Sequence, residues 1–108
     1  MSDLDLNYIQ NLCQKGNIKW TAHVLARLQQ RDISTKDVKN CIMTGEIIET
    51  YPTDYPYPSC LILGICINNV KLHCVVGVGE EYLWFITAYK PSLEKWDKDF
   101  KTRKAENL

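Results

Sequence analysis

The two apolar runs on either side of Asn68-Asn69 constrain this chain more than any other feature. Cys60 to Ile67 is continuously apolar except for Gly64. Asn68-Asn69 then forms a two-residue turn able to hold positive φ, so the chain from Val70 onward is expected to return antiparallel. Val70 to Val78 alternates, with Leu72, Cys74, Val76 and Val78 on one face and Lys71, His73, Val75 and Gly77 on the other. Gly79-Glu80-Glu81 turns the chain again, and Tyr82 to Tyr89 is aromatic and β-branched enough for a last strand. Upstream, Glu46 to Tyr51 leans to β. The segment Tyr51-Pro-Thr-Asp-Tyr-Pro-Tyr-Pro58 is expected to be irregular, because proline neither donates to a ladder nor continues a helix.

The amino-terminal half has a different period. Leu4, Leu6, Tyr8, Ile9, Leu12 and Cys13 recur at helical spacing before Gly16, predicting a helix over about 3–15. Ile18-Lys19-Trp20 reads as a short extended link. Thr21 is a candidate N-cap for a second helix to about Arg31, with Ala22, Leu25 and Leu28 toward the core. Ser34 with Asp37 resembles a capping box for a third helix over about 35–44, and Gly45 is a natural residue to end it. After Pro91, Ser92 is expected to cap a short helix carrying Leu93, Trp96 and Phe100 on one side. The expected architecture is a two-layer α+β domain, with amino-terminal helices packed on a mainly antiparallel four-stranded sheet and a short carboxy-terminal helix. A more strongly curled sheet closed by the last helix is the alternative.

With 108 residues the chain makes one domain, large enough for a core without metal or disulfide staples. The five cysteines are odd in number and lack C-x-x-C spacing, so they are expected to be small buried thiols. No apolar run approaches the ~20 residues of a membrane span. No signal-like amino end is visible either, and a cytoplasmic protein is expected. A formal net charge of zero argues against coating nucleic acid by bulk charge, but leaves room for a local basic cleft. The carboxyl end is locally basic through Lys90, Lys95, Lys98, Lys101, Arg103 and Lys104, which suits either a solvated face or a functional patch.

The sharpest chemical pattern is His23, Arg27 and Arg31, at i, i+4 and i+8 of the second helix. Two clustered guanidiniums suit an anionic partner, a phosphodiester or an acidic peptide, although a solvated helix face has the same spacing. His73 projects with Lys71 from the less apolar face of a mid-sheet strand. An imidazole there is either a general acid or base or a structural group. Thr87 and Tyr89 share a face of the neighbouring strand. Tyr51, Tyr55 and Tyr57 are able to stack on bases or to pin their loop to the sheet edge. Two histidines fifty positions apart make a poor metal site, and no metal or other cofactor is expected. Asp97 and Asp99 are not the clustered carboxylates of a metal-dependent DNA nuclease.

The stretch from Trp20 to Ser34, with Asp37-Val38, Gly45-Glu-Ile-Ile48, Tyr51-Pro52, Tyr57-Pro-Ser59, Leu63-Gly64, Leu72-His73-Cys-Val75, Ile86-Thr-Ala-Tyr89-Lys-Pro91 and Trp96, resembles the bacterial DUF4258 family. The resemblance covers roughly residues 18–103, leaving 1–17 as a variable helical extension of the single domain 1–108. It implies kinship with RelE-like and BrnT-like toxins of type II toxin–antitoxin modules, and hence metal-independent cleavage of mRNA through attack by the 2′-hydroxyl. Such chemistry needs a base, an acid and positive charge. His73 and His23 offer base or acid, Arg27 charge for the phosphate and Tyr89 a donor or stacking ring. Arg31, Lys71, Lys90 and Arg103 are the expected substrate-binding cations. Expected partners are RNA and a cognate antitoxin, with no membrane, and a homodimer is open. The alternative is a non-catalytic module whose arginine stripe holds an acidic antitoxin-like segment.

Overall fold

The computed structural model describes residues 4–105, so Asp3, where the first helix is expected to begin, lies outside the described residues. The element order is α1 (Leu6–Gln14), β1 (Ile18–Lys19), α2 (Ala22–Gln30), α3 (Thr35–Thr44), β2 (Glu46–Tyr51), β3 (Ser59–Ile65), β4 (Lys71–Gly79) and β5 (Tyr82–Tyr89). Each helix starts on a side chain that takes an otherwise orphaned backbone N–H: Asp5 from Tyr8, Thr21 from Val24 and Ser34 from Asp37. At α3 the box is reciprocal, since the Asp37 carboxylate accepts the Ser34 N–H at 3.0 Å.

The strands form one sheet in the order β1-β5-β4-β3-β2. β2 through β5 are antiparallel neighbours, while β1 adds a fifth strand parallel to β5. The expected four-stranded antiparallel sheet is thus a five-stranded mixed one. A two-residue strand carries no period, and Ile18-Lys19 is held by tertiary pairing with Leu83 and Trp84.

Both hairpins are tight, and the first differs from expectation. In the β3–β4 turn only Asn69 takes positive φ (67°). Asn69 N–H donates to Cys66 C=O and Cys66 N–H to Val70 C=O, so the loop is a turn followed by one left-handed residue. Between β4 and β5 the left-handed residues are Glu80 (φ 55°) and Glu81 (φ 66°), a two-residue turn that glycine or asparagine would fill with less strain. Two glycines serve space rather than conformation. Gly45, expected to end α3, does so in an extended conformation at φ −95°. A Cβ on it would sit 2.5 Å from Cys41 C=O, and one on Gly64 would sit 2.1 Å from the same oxygen. These two positions let α3 lie directly on β3.

The main core lies between the sheet and helices α1 and α3, where Ile9, Val38, Cys41, Ile42, Ile62 and Leu72 are fully buried. Five cysteines line it as free buried thiols, and burial pushes Cys41 and Cys60 up to about 12, so they stay protonated. Helix α2 stands apart from this layer. Only Leu28 is buried; Ala22 and Leu25, expected on the core side, are exposed because α2 lies along β5 at the rim of the sheet.

The other sheet face is covered by the carboxyl end, and here the expected short helix is absent. Ser92 starts a single turn, after which residues 95–104 double back in a small hairpin. Trp96 bridges Arg103, and Lys104 N–H reaches Lys95 C=O at 3.0 Å. The cause is local competition. The Asp99 carboxylate accepts from the N–H groups of Lys101 and Thr102, and Asp97 C=O accepts from Phe100 N–H; these contacts favour a turn over a helix. Trp96 is 2% exposed in consequence, whereas Leu93 points out at 53%. No helix among the described residues is long and apolar enough to cross a membrane.

Candidate functional site

Strand register decides which side chains meet. His73 lies directly opposite Tyr89 in the β4–β5 ladder, on the face away from α1 and α3. A bulge between Val75 and Val76 absorbs Ile86, which sets Thr87 opposite Val75 and so puts Thr87 and Tyr89 on the face of His73. Leu61 and Leu63 of β3 flank this face, and Trp96 closes over it with its ring edge-on to the His73 ring at 4.5 Å.

His73 is completely buried and both its ring nitrogens are engaged. A carbonyl only accepts, so Nε2 carries the proton and donates to Phe100 C=O at 2.7 Å. Nδ1 is therefore the acceptor for the Tyr89 hydroxyl at 3.2 Å. Burial pushes the imidazole below its ordinary value, only partly offset by the Phe100 carbonyl and Glu49, and so holds it neutral. Burial likewise raises Tyr89, so its hydroxyl is a protonated donor near neutral pH.

Above this pair the hairpin is tied to β2 by Arg103. Its guanidinium forks onto Glu49 at 2.8 and 3.0 Å and lies over the Trp96 ring at 4.7 Å. The Arg103 contacts hold Glu49 below the usual carboxylate range, and burial with the Glu49 charge pushes Tyr51 up to about 12. Lys101 adds a second tie to Glu46.

Tyr89 opens into a cavity of about 450 Å³ lined by Arg31, Lys90, Ser92, Lys95, Trp96 and Arg103. Four of those side chains are cationic and none is a carboxylate. Among the described residues, Arg31, Lys90 and Lys95 form no ion pair. Arg31 sits at the α2 C-cap and is anchored by Nη1, which donates to Thr87 Oγ1 at 3.0 Å and to Ala88 C=O at 2.8 Å. That anchor fixes a guanidinium at the mouth of the cavity. It also joins the cavity to a second one, of about 220 Å³, between α2 and β5, which His23, Arg27 and Arg31 all line.

The expected site residues therefore fall into four places. Tyr89, Arg31, Lys90 and Arg103 share the first cavity, which also brings in Lys95. His23 and Arg27 line the second, two turns and one turn from Arg31 respectively. Lys71 is separate, on a cavity with Glu46, Asp99 and Lys101. His73 lies beneath Tyr89 without reaching solvent. Of the three loop tyrosines, Tyr57 stacks on Trp84 at 5.1 Å in the space left by Gly79, and Tyr51 donates to Glu49 at 2.6 Å. Tyr55 is 95% exposed. Trp96 and Glu49 went unread as members of the site. Their involvement depends on the hairpin folding back, which no local spacing announces. Among the described residues no three His, Cys, Asp or Glu side chains form a group able to hold a metal.

The family model described as a domain of unknown function (DUF4258) matches residues 20–90. The chain belongs to the DUF4258 family. The matched stretch runs from Trp20, just ahead of α2, through β5 to Lys90, and so includes His23, Arg27, Arg31, His73, Tyr89 and Lys90. Lys95, Trp96 and Arg103 follow it. No curated protein and no solved structure matches the chain.

Proposed function

We propose that this DUF4258 protein is an RNA-cleaving toxin of a type II toxin–antitoxin module, related to the RelE-like group and acting in the cytoplasm without a metal ion. One observation carries the reading: a cavity with Arg31, Lys90, Lys95 and Arg103 gathered around the Tyr89 hydroxyl and no carboxylate in its lining. Such a site suits a phosphodiester and the extra charge of its transition state. The 2′-hydroxyl attacks the adjacent phosphorus, the bond to the 5′-oxygen breaks, and the products are a 2′,3′-cyclic phosphate and a 5′-hydroxyl. The 2′-hydroxyl proton leaves to water. The Tyr89 hydroxyl turns its proton from His73 Nδ1 to the departing 5′-oxygen, a far stronger base, and the phenolate is reprotonated from water, while Arg31, Lys90 and Lys95 hold the phosphoryl oxygens. His73 positions the Tyr89 hydroxyl from below. The cognate partner in this reading is an antitoxin whose acidic segment covers the same cations.

The test is purified protein with single-stranded RNA in EDTA. Cleavage leaving cyclic-phosphate and 5′-hydroxyl ends, reduced at least 100-fold in Tyr89→Phe, is expected. Cleavage that vanishes in EDTA, or that Tyr89→Phe leaves intact, would overturn the reading.

The second reading is a non-catalytic module that binds an acidic partner. The complete burial of His73 favours it, since that leaves no imidazole in the cavity around Tyr89. It predicts RNA that is bound or ignored but never cut.

A further inference from the structure

We infer that the cavity between α2 and β5 is a nucleobase pocket, receiving the base next to the phosphate held at Arg31. The inference rests on the RNA reading above and extends it from phosphate binding to base recognition. Three features of the cavity carry it.

The first is its floor. Leu28 and Phe85 are buried at 3% and 5% exposure and Val24 is half-buried, so the bottom is apolar. A volume of about 220 Å³ suits one planar ring rather than a helix of a protein partner.

The second is its wall. β1 pairs with β5 only at Leu83 and Trp84, so the following edge of β5 has no strand beside it. Ile86, Thr87 and Ala88 line the cavity along that edge. Apart from the Ala88 C=O, which Arg31 holds, such a strand edge offers backbone N–H and C=O groups, the donors and acceptors that read the edge of an unstacked base.

The third is its charge and position. Among the described residues, Arg27 and Arg31 have no carboxylate partner, so an anionic ligand complements the rim. Arg31 lines both cavities. A phosphate at Arg31 in the Tyr89 cavity thus puts the adjoining nucleoside at the mouth of this one. An acidic protein segment would satisfy the arginines but leave the enclosed apolar floor unused.

The experiment uses the intact protein and a 2′-O-methyl RNA hexamer, which cannot be cut, with an abasic residue stepped through each position. Affinity is expected to fall at least tenfold at one position and less than threefold at the others. Val24→Trp, which fills the pocket, should abolish that positional dependence while the affinity for the abasic chain stays unchanged. Ile86→Trp, at a position 46% exposed, blocks the same mouth without disturbing the core and should act alike. A flat abasic scan with binding retained, or full positional dependence in both variants, would overturn the pocket and leave the phosphate cavity standing. Absence of any binding would overturn both.

Discussion

The two faces of the sheet are closed by different means. On one face, α1 and α3 bury aliphatic side chains and thiols, and Gly45 and Gly64 let helix and strand touch. On the other, a hairpin of about ten residues is held by one tryptophan, two ion pairs and a hydrogen bond from a buried histidine. The helical face depends on apolar area, which tolerates no water and needs no precise polar geometry. The hairpin face depends on a few directional contacts, and it is the face that presents Tyr89 and the cations. Stability is concentrated on one side and the candidate site on the other.

The largest expected effect sharpens that division. Ile42→Ala removes a fully buried side chain between α3 and the sheet and should cost about 2–5 kcal/mol, unfolding the domain as one unit in a denaturant titration. Trp96→Ala should act locally, costing about 3 kcal/mol. Hydrogen exchange would show the amides of Phe100 and Lys104 losing protection while those of α3 keep theirs. Equal loss in both layers would break the comparison.

A pH series probes the histidine that links the layers. The folded value of His73 lies below its ordinary 6.5, so the unfolded chain binds the proton more readily. Its contribution is complete above pH 6.5 and is lost as the pH falls below it, by at most about 1.4 kcal/mol per unit for one proton. Glu49 and Asp99 are also held low, but they act only below 4.5 and 3.8. His73→Gln should flatten the thermal stability profile just below 6.5; an unchanged slope would contradict the assignment. The smallest effect is a gain. Glu81→Gly relieves a left-handed residue in the β4–β5 turn and should stabilise by about 0.5–1 kcal/mol in the same titration.

What was legible in the residues follows the same division. Helical period, the Ser34–Asp37 box and the alternation of β4 are local signals, and they place α2, α3 and the β3–β4–β5 meander within a residue or two. The stripe of His23, Arg27 and Arg31 is equally local, and it lines one cavity. The misses are long-range. β1 exists because β5 pairs with it. The carboxyl end is a hairpin because Asp99 caps its own turn and Trp96 has a histidine to cover. Helical spacing of Leu93, Trp96 and Phe100 was present without a helix to use it. Whether Tyr89 and His73 shared a face depended on the bulge at Ile86, since one extra residue reverses every side chain beyond it.

Arg31, Lys90 and Lys95 are proposed to form a phosphate-binding cavity beside Tyr89. The most direct measurement is the affinity of the intact protein for an uncleavable single-stranded RNA across a salt series. Three phosphate contacts predict a slope of log affinity against log salt of about −2, shallower by roughly 0.7 in Lys95→Ala. A slope near zero, or one that Lys95→Ala leaves unchanged, would contradict it.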